Sequence, residues 1–205
     1  MGELSETKEK IFDVFVEMAS TLGYENVTTR DIAKRIGINA ASIYYHFESK
    51  EKILEFAYEY YEKYQYDNRR SVDEMKEIVE TENAEDIVSK FFYSFVTEDH
   101  KKYVRMILIT KIIYMRIFQD KIANAMFTDS NANNIEYIVS ILKHGVEIGR
   151  VDPAFDLETF ADVTVGAISF MGIKAFADEG YAVGQLNHEK NILAQLSRLL
   201  STALI

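Results

Sequence analysis

Cysteine is absent from the 205 residues, and proline occurs once, at Pro153. Without cysteine there is no disulfide, no thiolate metal site and no cysteine nucleophile. A single proline and nine glycines leave few helix breakers. The abundance of Ala, Leu, Ile, Glu and Lys then predicts a mostly helical chain. Positive charge is also scarce: 23 Lys and Arg stand against 33 Asp and Glu, for a net charge of -10. An acidic surface repels phosphate, so any reading that involves nucleic acid must overcome this. The opening "MGELSETKEK" lacks the apolar core of a signal peptide. The most apolar run, "YVRMILITKIIYMRIF", is interrupted by Arg105, Lys111 and Arg116, so no membrane span is predicted. The expectation is a soluble, cytoplasmic protein. His46, His100, His144 and His188 are scattered without the spacing of a metal-binding helix, and no acid, base and nucleophile converge. No metal, no cofactor and no catalytic residue is expected, and the chain does not read as an enzyme.

What is present is amphipathic helix. Ile11, Phe12, Phe15, Met18, Ala19 and Leu22 share one helical face, and Gly23 ends that helix. Thr28 with Asp31 resembles a capping box, with Asp in place of the usual Glu. A short helix follows to about Ile36, and Gly37 suits a turn with positive φ. Asn39 can cap a third helix near 40–46, and Ser49 a fourth through "KEKILEFAYEYYEKYQY". Residues 69–83 form a polar, charged stretch that precedes the apolar helices. Longer apolar helices are predicted at about 85–98, 101–127, 134–149, 157–178 and 188–204, with "EIGRVDPAFD" and "DEGYAVGQLNH" as the clearest loops.

The segment 28–47, "TTRDIAKRIGINAASIYYHF", carries the strongest pattern. Ile32, Ile36, Ile38 and Ile43 provide the apolar contacts of two short helices, Ala33 is small where they cross, and Gly37 sits four residues later at the turn. This is helix-turn-helix spacing. The stretch "TTRDIAKRIGINAASIYYHFESKEKIL" resembles the DNA-binding segment of TetR-family transcriptional regulators, and the resemblance covers residues 7–56. It departs from the family pattern at Ile36, where Ala is frequent, and at Asn39-Ala40-Ala41, the opening of the third helix.

The resemblance implies an all-α fold. A three-helix DNA-binding domain, residues 1–52, would be joined by a long helix to a larger ligand-binding and dimerisation domain, residues 53–205. It places Asn39, Ala40, Ala41, Ser42 and Tyr44 near base edges, and Tyr45 and His46 near phosphate. Thr28, Thr29, Arg30 and Lys50 lie at helix starts, where free N–H groups and the helix dipole favour an anion. Tyrosine hydroxyls and a histidine N–H can donate to phosphate oxygens, Asn39 can read a base edge, and Ala41 can touch a thymine methyl. Against this stands the ordinary reading of Tyr44 and Tyr45 as half-buried packing groups, and of Lys34 and Arg35 as a solvated face. The first 52 residues hold seven basic and nine acidic side chains, but most of the bases fall from Arg30 onward. Salt screens beyond about 8 Å, so local placement outweighs the total. Few phosphate contacts are expected per subunit.

For the second domain the resemblance implies an apolar pocket with a few polar groups. Candidates are Phe92, Phe95, Tyr103, Met106, Thr110, Tyr114, Phe118, Tyr137, His144 and Phe170, each of which could equally be plain core. Gly166, Ser169 and Gly172, with the leucines 193, 196, 199 and 200 of the last helix, resemble the family's dimerisation pair or serve intramolecular packing. The function so implied is a ligand-responsive repressor. It would bind a palindromic DNA operator as a homodimer through its last two helices, and a small apolar or amphipathic effector would release it. The alternatives are a helical small-molecule or lipid carrier, or an enzyme, in which the helix-turn-helix is only a scaffold, and a protein–protein adaptor.

Overall fold

The computed structural model describes residues 5–93, 99–177 and 187–205, with side chains except at 172–177 and 187–189. Among the described residues every regular element is helical apart from one isolated bridge, Val151 to Leu204. The order is α1 (Glu6–Leu22), a single 3₁₀ turn (Tyr24–Asn26), α2 (Thr29–Ile36), α3 (Ala40–His46), α4 (Lys50–Asn68), α5 (Val72–Thr81), α6 (Ala84–Phe92), α7 (His100–Arg116), α8 (Lys121–Glu147), α9 (Leu157–Ala177) and α10 (Asn187–Ser201). The all-α expectation is met. No described helix is long and apolar enough to cross a membrane.

Two compact units form. The first comprises Met1–Asp67 and Thr97–Met126, the second Asn68–Val96 and Phe127–Ile205. This packing division does not follow the functional boundary expected at residue 52. α7 packs on α1 and therefore belongs with the N-terminal helices.

The first unit is built around α1. Its face of Ile11, Phe12, Phe15, Val16 and Ala19 is buried, as are Ile32 and Ala33 of α2, Ile43 of α3, and Ile109, Ile112 and Ile113 of α7. Phe12 meets Phe56 edge-on at 4.9 Å, and Phe47 meets Phe56 at 5.6 Å. Two arginines on α7 add ion pairs. Arg105 donates to Asp13 at 2.8 Å and to Glu9 at 3.0 Å, and its charged side chain is only 8% exposed. Burial works against its charge, but the two carboxylates outweigh it and raise its pKa. Arg116 holds Glu25 at 2.8 Å and Asp120 at 3.0 Å.

The second unit has its own core. Met75 and Val79 of α5, Ile87, Val88 and Phe91 of α6, Tyr137, Ile138, Val139, Ile141 and Leu142 of α8, Phe160, Ala161 and Val165 of α9, and Leu196 and Leu200 of α10 form one cluster. Three predicted boundaries are corrected here. The polar, charged stretch 69–83, where no helix was expected, holds one: Ser71 and Glu74 form a capping box that starts α5, whose Met75 and Val79 are one turn apart and fully buried. The single helix predicted at 101–127 is broken at 117–120. There Asp120 turns its carboxylate back to cap α8 through the N–H of Ile122 and Ala123. The gap predicted between 127 and 134 is helix, because α8 runs unbroken through "FTDSNANN" to Glu147.

Candidate nucleic-acid interface

The local chemistry of residues 28–47 builds a rigid pair of short helices. Thr28 caps α2: its hydroxyl accepts from the Asp31 N–H at 3.2 Å, and the Asp31 carboxylate accepts from the Thr28 N–H at 3.1 Å. The hydrogen bond from the Thr28 hydroxyl is the first cause of the lowered Asp31 pKa. Gly37 then takes the left-handed conformation, φ 74°, that an L side chain resists, and its N–H returns to Ala33. Asn39 caps α3, with its side-chain oxygen on the Ala41 N–H at 3.0 Å.

α3 turns Ile43 inward and Ala41, Tyr44 and Tyr45 outward, one face at helical spacing. Tyr45 is 88% exposed and meets the His46 ring edge-on at 5.2 Å. An aromatic side chain so exposed has no role in this unit's own packing. The eleven candidate residues are brought onto adjoining turns but are not equally free. Thr28 and Asn39 spend an oxygen on caps, and the Thr29 hydroxyl lies 3.2 Å from that of Tyr44, tying α2 to α3. Arg30 and Ala41 are exposed, while Ala40, Ser42 and His46 are half-buried.

Lys50 is committed elsewhere. Its ammonium donates to the Tyr24 carbonyl at 3.0 Å and lies 4.0 Å from the Tyr24 ring centre, while the Arg116 guanidinium lies 4.2 Å from the same centre. Tyr24 in turn donates to Glu51 at 3.1 Å, and burial is the first cause of its raised pKa. Sequence reasoning missed this use of Tyr24, for which the signal was a tyrosine just after a helix-ending glycine. Arg35 pairs with Glu17, which leaves Arg30 and the exposed Lys34 as the more available cations of α2.

A capped helix-turn-helix with an outward aromatic face matches a known pattern. The family model described as "Bacterial regulatory proteins, tetR family" matches residues 11–56, and those are the residues of this site. Residues 11–56 carry the tetR-family domain. Two curated relatives carry the name biofilm operon icaADBC HTH-type negative transcriptional regulator IcaR. The one from Staphylococcus aureus is 33% identical over 99 residues, 48% of this chain and 50% of its own. The one from Staphylococcus epidermidis is 44% identical over 46 residues, 22% of this chain and 25% of its own. The chain thus spans about half or less of the curated relatives it matches. Among solved structures, the ketosteroid transcriptional regulator KstR2 of Mycobacterium tuberculosis aligns over 100% of this chain and 98% of its own, with TM-score 0.58 at 18% identity. The TetR-family regulator PfmR from Thermus thermophilus aligns over 93% and 97%, with TM-score 0.60 at 19% identity. At these identities the likeness is one of fold alone.

The effector candidates divide between the units. Tyr103, Met106, Thr110, Tyr114 and Phe118 belong to the first, Phe92, Tyr137, His144 and Phe170 to the second, and Phe95 lies outside the described residues. Phe118 is 93% exposed in the turn after α7, and Phe170 is more than half exposed on α9. The Thr110 hydroxyl donates to the Met106 carbonyl at 2.9 Å. His144 lies 2.7 Å from Glu80, and buried Tyr137 donates to the Arg70 carbonyl at 2.8 Å.

Proposed function

We propose that the chain is a DNA-binding transcriptional repressor, cytoplasmic and not an enzyme. It would act as a homodimer on a palindromic operator and be released by a small apolar or amphipathic effector. The observation that carries this reading is the outward face of α3, Ala41, Tyr44 and Tyr45, held on a capped and ion-paired scaffold within the family match. α3 has the length to enter one major groove, its exposed alanine and tyrosines can touch base edges and phosphates, and Arg30 stands beside them. The negative regulators among its relatives support repression over activation.

Support for the dimer comes from α9. Val163, Gly166 and Phe170 follow one stripe; both side chains are about half exposed, and nothing lies within 4 Å of a Cβ added at Gly166. Of the four leucines of α10, Leu196 and Leu200 serve the core, Leu193 packs against it, and Leu199 is exposed. Ser169 meets Asn131 of α8 at 3.4 Å and so serves the unit's own packing. A second copy laid on this α9 face would form the dimer, and a palindrome offers one half-site to the recognition helix of each copy.

The test replaces Tyr45 and His46 by Ala together. The repressor reading predicts at least about tenfold weaker binding to duplex DNA, the loss of roughly two phosphate contacts, with the oligomeric state by light scattering unchanged. Equal DNA binding by both proteins would overturn it, as the carrier and adaptor readings require.

A further inference from the structure

Among the described residues three arginines stack on aromatic rings, and one of the three lacks a counter-ion there. Arg105 lies over Phe12 and Tyr60 and holds Glu9 and Asp13; Arg116 lies over Tyr24 and holds Glu25 and Asp120. Arg69 lies over Tyr137, its guanidinium carbon 3.6 Å from the ring centre, closer than either of the others. One terminal nitrogen donates to the Asn133 carbonyl at 3.1 Å. Its Nε is buried with no hydrogen-bond partner, and among the described residues no carboxylate pairs with it. Tyr137 does not neutralise it, because the phenol is uncharged and its O–H is directed to the Arg70 carbonyl. Burial pushes the Arg69 pKa down, the reverse of what its carboxylates do for Arg105. In a chain of net charge -10, a half-buried cation left without an anion stands out from the charge pattern.

A second orphan lies in the same unit. The Thr164 hydroxyl of α9 is fully buried without a partner. Asn131 of α8 faces Ser169 of α9, and the two helices are joined by a short loop, so they run antiparallel. Phe160, Ala161 and Val165, the neighbours of Thr164 along α9, share one core cluster with Tyr137. The surroundings are apolar: Phe91 meets Tyr137 edge-on at 6.3 Å, and Ile138, Ile141, Phe160, Ala161 and Val165 form the adjoining core.

We propose that Arg69 anchors the carboxylate of an amphipathic effector whose apolar part lies against the Tyr137 side of the second unit, with Thr164 as a further hydrogen-bonding group. A carboxylate suits this site because its planar pair of oxygens matches the guanidinium fork, and stacking on Tyr137 holds that fork in one orientation. This rests on the effector reading above and narrows it to a chemical class.

The probes are hexanoate, decanoate and palmitate, each paired with the alcohol of the same chain length. Binding to the full chain is measured by calorimetry, with melting temperature recorded for every variant. At least one carboxylate binds the wild type saturably, one per chain, and its alcohol binds at least about tenfold more weakly. Arg69→Gln removes that gap; it also loses the Asn133 hydrogen bond and the Tyr137 stacking, so its melting temperature falls modestly and binding is compared below that temperature. Arg69→Lys keeps the charge without the fork and retains part of the gap, which tests the site even if Arg69→Gln fails to fold. Equal binding of acid and alcohol, an undiminished gap in both variants, or no binding by any of the acids overturns the anion site. The effector reading is scored separately, by release of DNA with uncharged ligands, and survives those outcomes if any of these releases it.

Discussion

At the scale of single residues, the cations of the helix-turn-helix are ranked by what already holds them. Arg30 is exposed, whereas Lys50 is bound to the Tyr24 carbonyl and ring and Arg35 to Glu17. Each phosphate contact contributes about one unit to the slope of log affinity against log salt. Arg30→Ala is therefore expected to reduce that slope by about 1, measured by fluorescence anisotropy over a salt series. Lys50→Ala is expected to change it less and instead to lower the melting temperature, because it removes a hydrogen bond and a cation–π contact. A larger slope change for Lys50→Ala would mean that its ammonium leaves Tyr24 for the DNA. The caps were legible from residue type alone: Thr28 with Asp31, Gly37 and Asn39 each play the local part their chemistry suggests. The commitment of Lys50 was not, since it depends on Tyr24, far away in the chain.

At the scale of elements, α5 and α7 carry the most structural information beyond the DNA-binding helices. α5 lies so close to α8 that a Cβ at Gly145 would come within 2.9 Å of Val79 and 2.7 Å of Val151. Gly145→Ala is expected to destabilise by roughly 1–3 kcal/mol through overpacking, read from urea denaturation; an unchanged midpoint would show that α5 can yield. α5 escaped the sequence reading because only Met75 and Val79 are fully buried in ten residues, too short a stripe to stand out from a charged stretch. α7 is clamped to α1 by ion pairs. Hydrogen bonds from Lys101 and then Arg105 hold the Glu9 carboxyl below the usual glutamate range. A depressed carboxylate contributes stability that is present above its unfolded pKa, about 4.3, and lost as pH falls through the folded value. Glu9→Gln is expected to lower stability at pH 7 and to flatten its decline between about pH 5 and acid, with the two proteins converging at low pH. A parallel decline in both would remove Glu9 from the clamp. The break after α7 could have been read from Asp120, a capping residue inside an apolar run, but the apolar periodicity on either side outweighed it.

For the whole molecule, fold class followed from composition and periodicity, because a helical chain with one proline has few other options. The helix-turn-helix was the most legible part, since its determinants are local in sequence. An effector site is the least legible feature, because aromatic and polar residues in apolar helices also describe plain core packing, and the proposed anchor Arg69 lies in the polar, charged stretch 69–83 rather than in an apolar helix. Net charge gave the wrong emphasis: the acidic total spreads over the chain, while Arg30 and Lys34 stand exposed on α2, next to the face of α3.

The central claim is that two copies of α3 read DNA, and selection from a random duplex pool tests it most directly. The full-length protein is incubated with the pool at low and moderate salt, and the retained DNA is sequenced. The account predicts enrichment of a palindrome whose half-sites are about one helical turn or a simple multiple of it apart, roughly 34–36 Å between centres, more sharply at the higher salt. A pool that remains random at both salts, with protein stripped of any bound small molecule by unfolding and refolding, would contradict it.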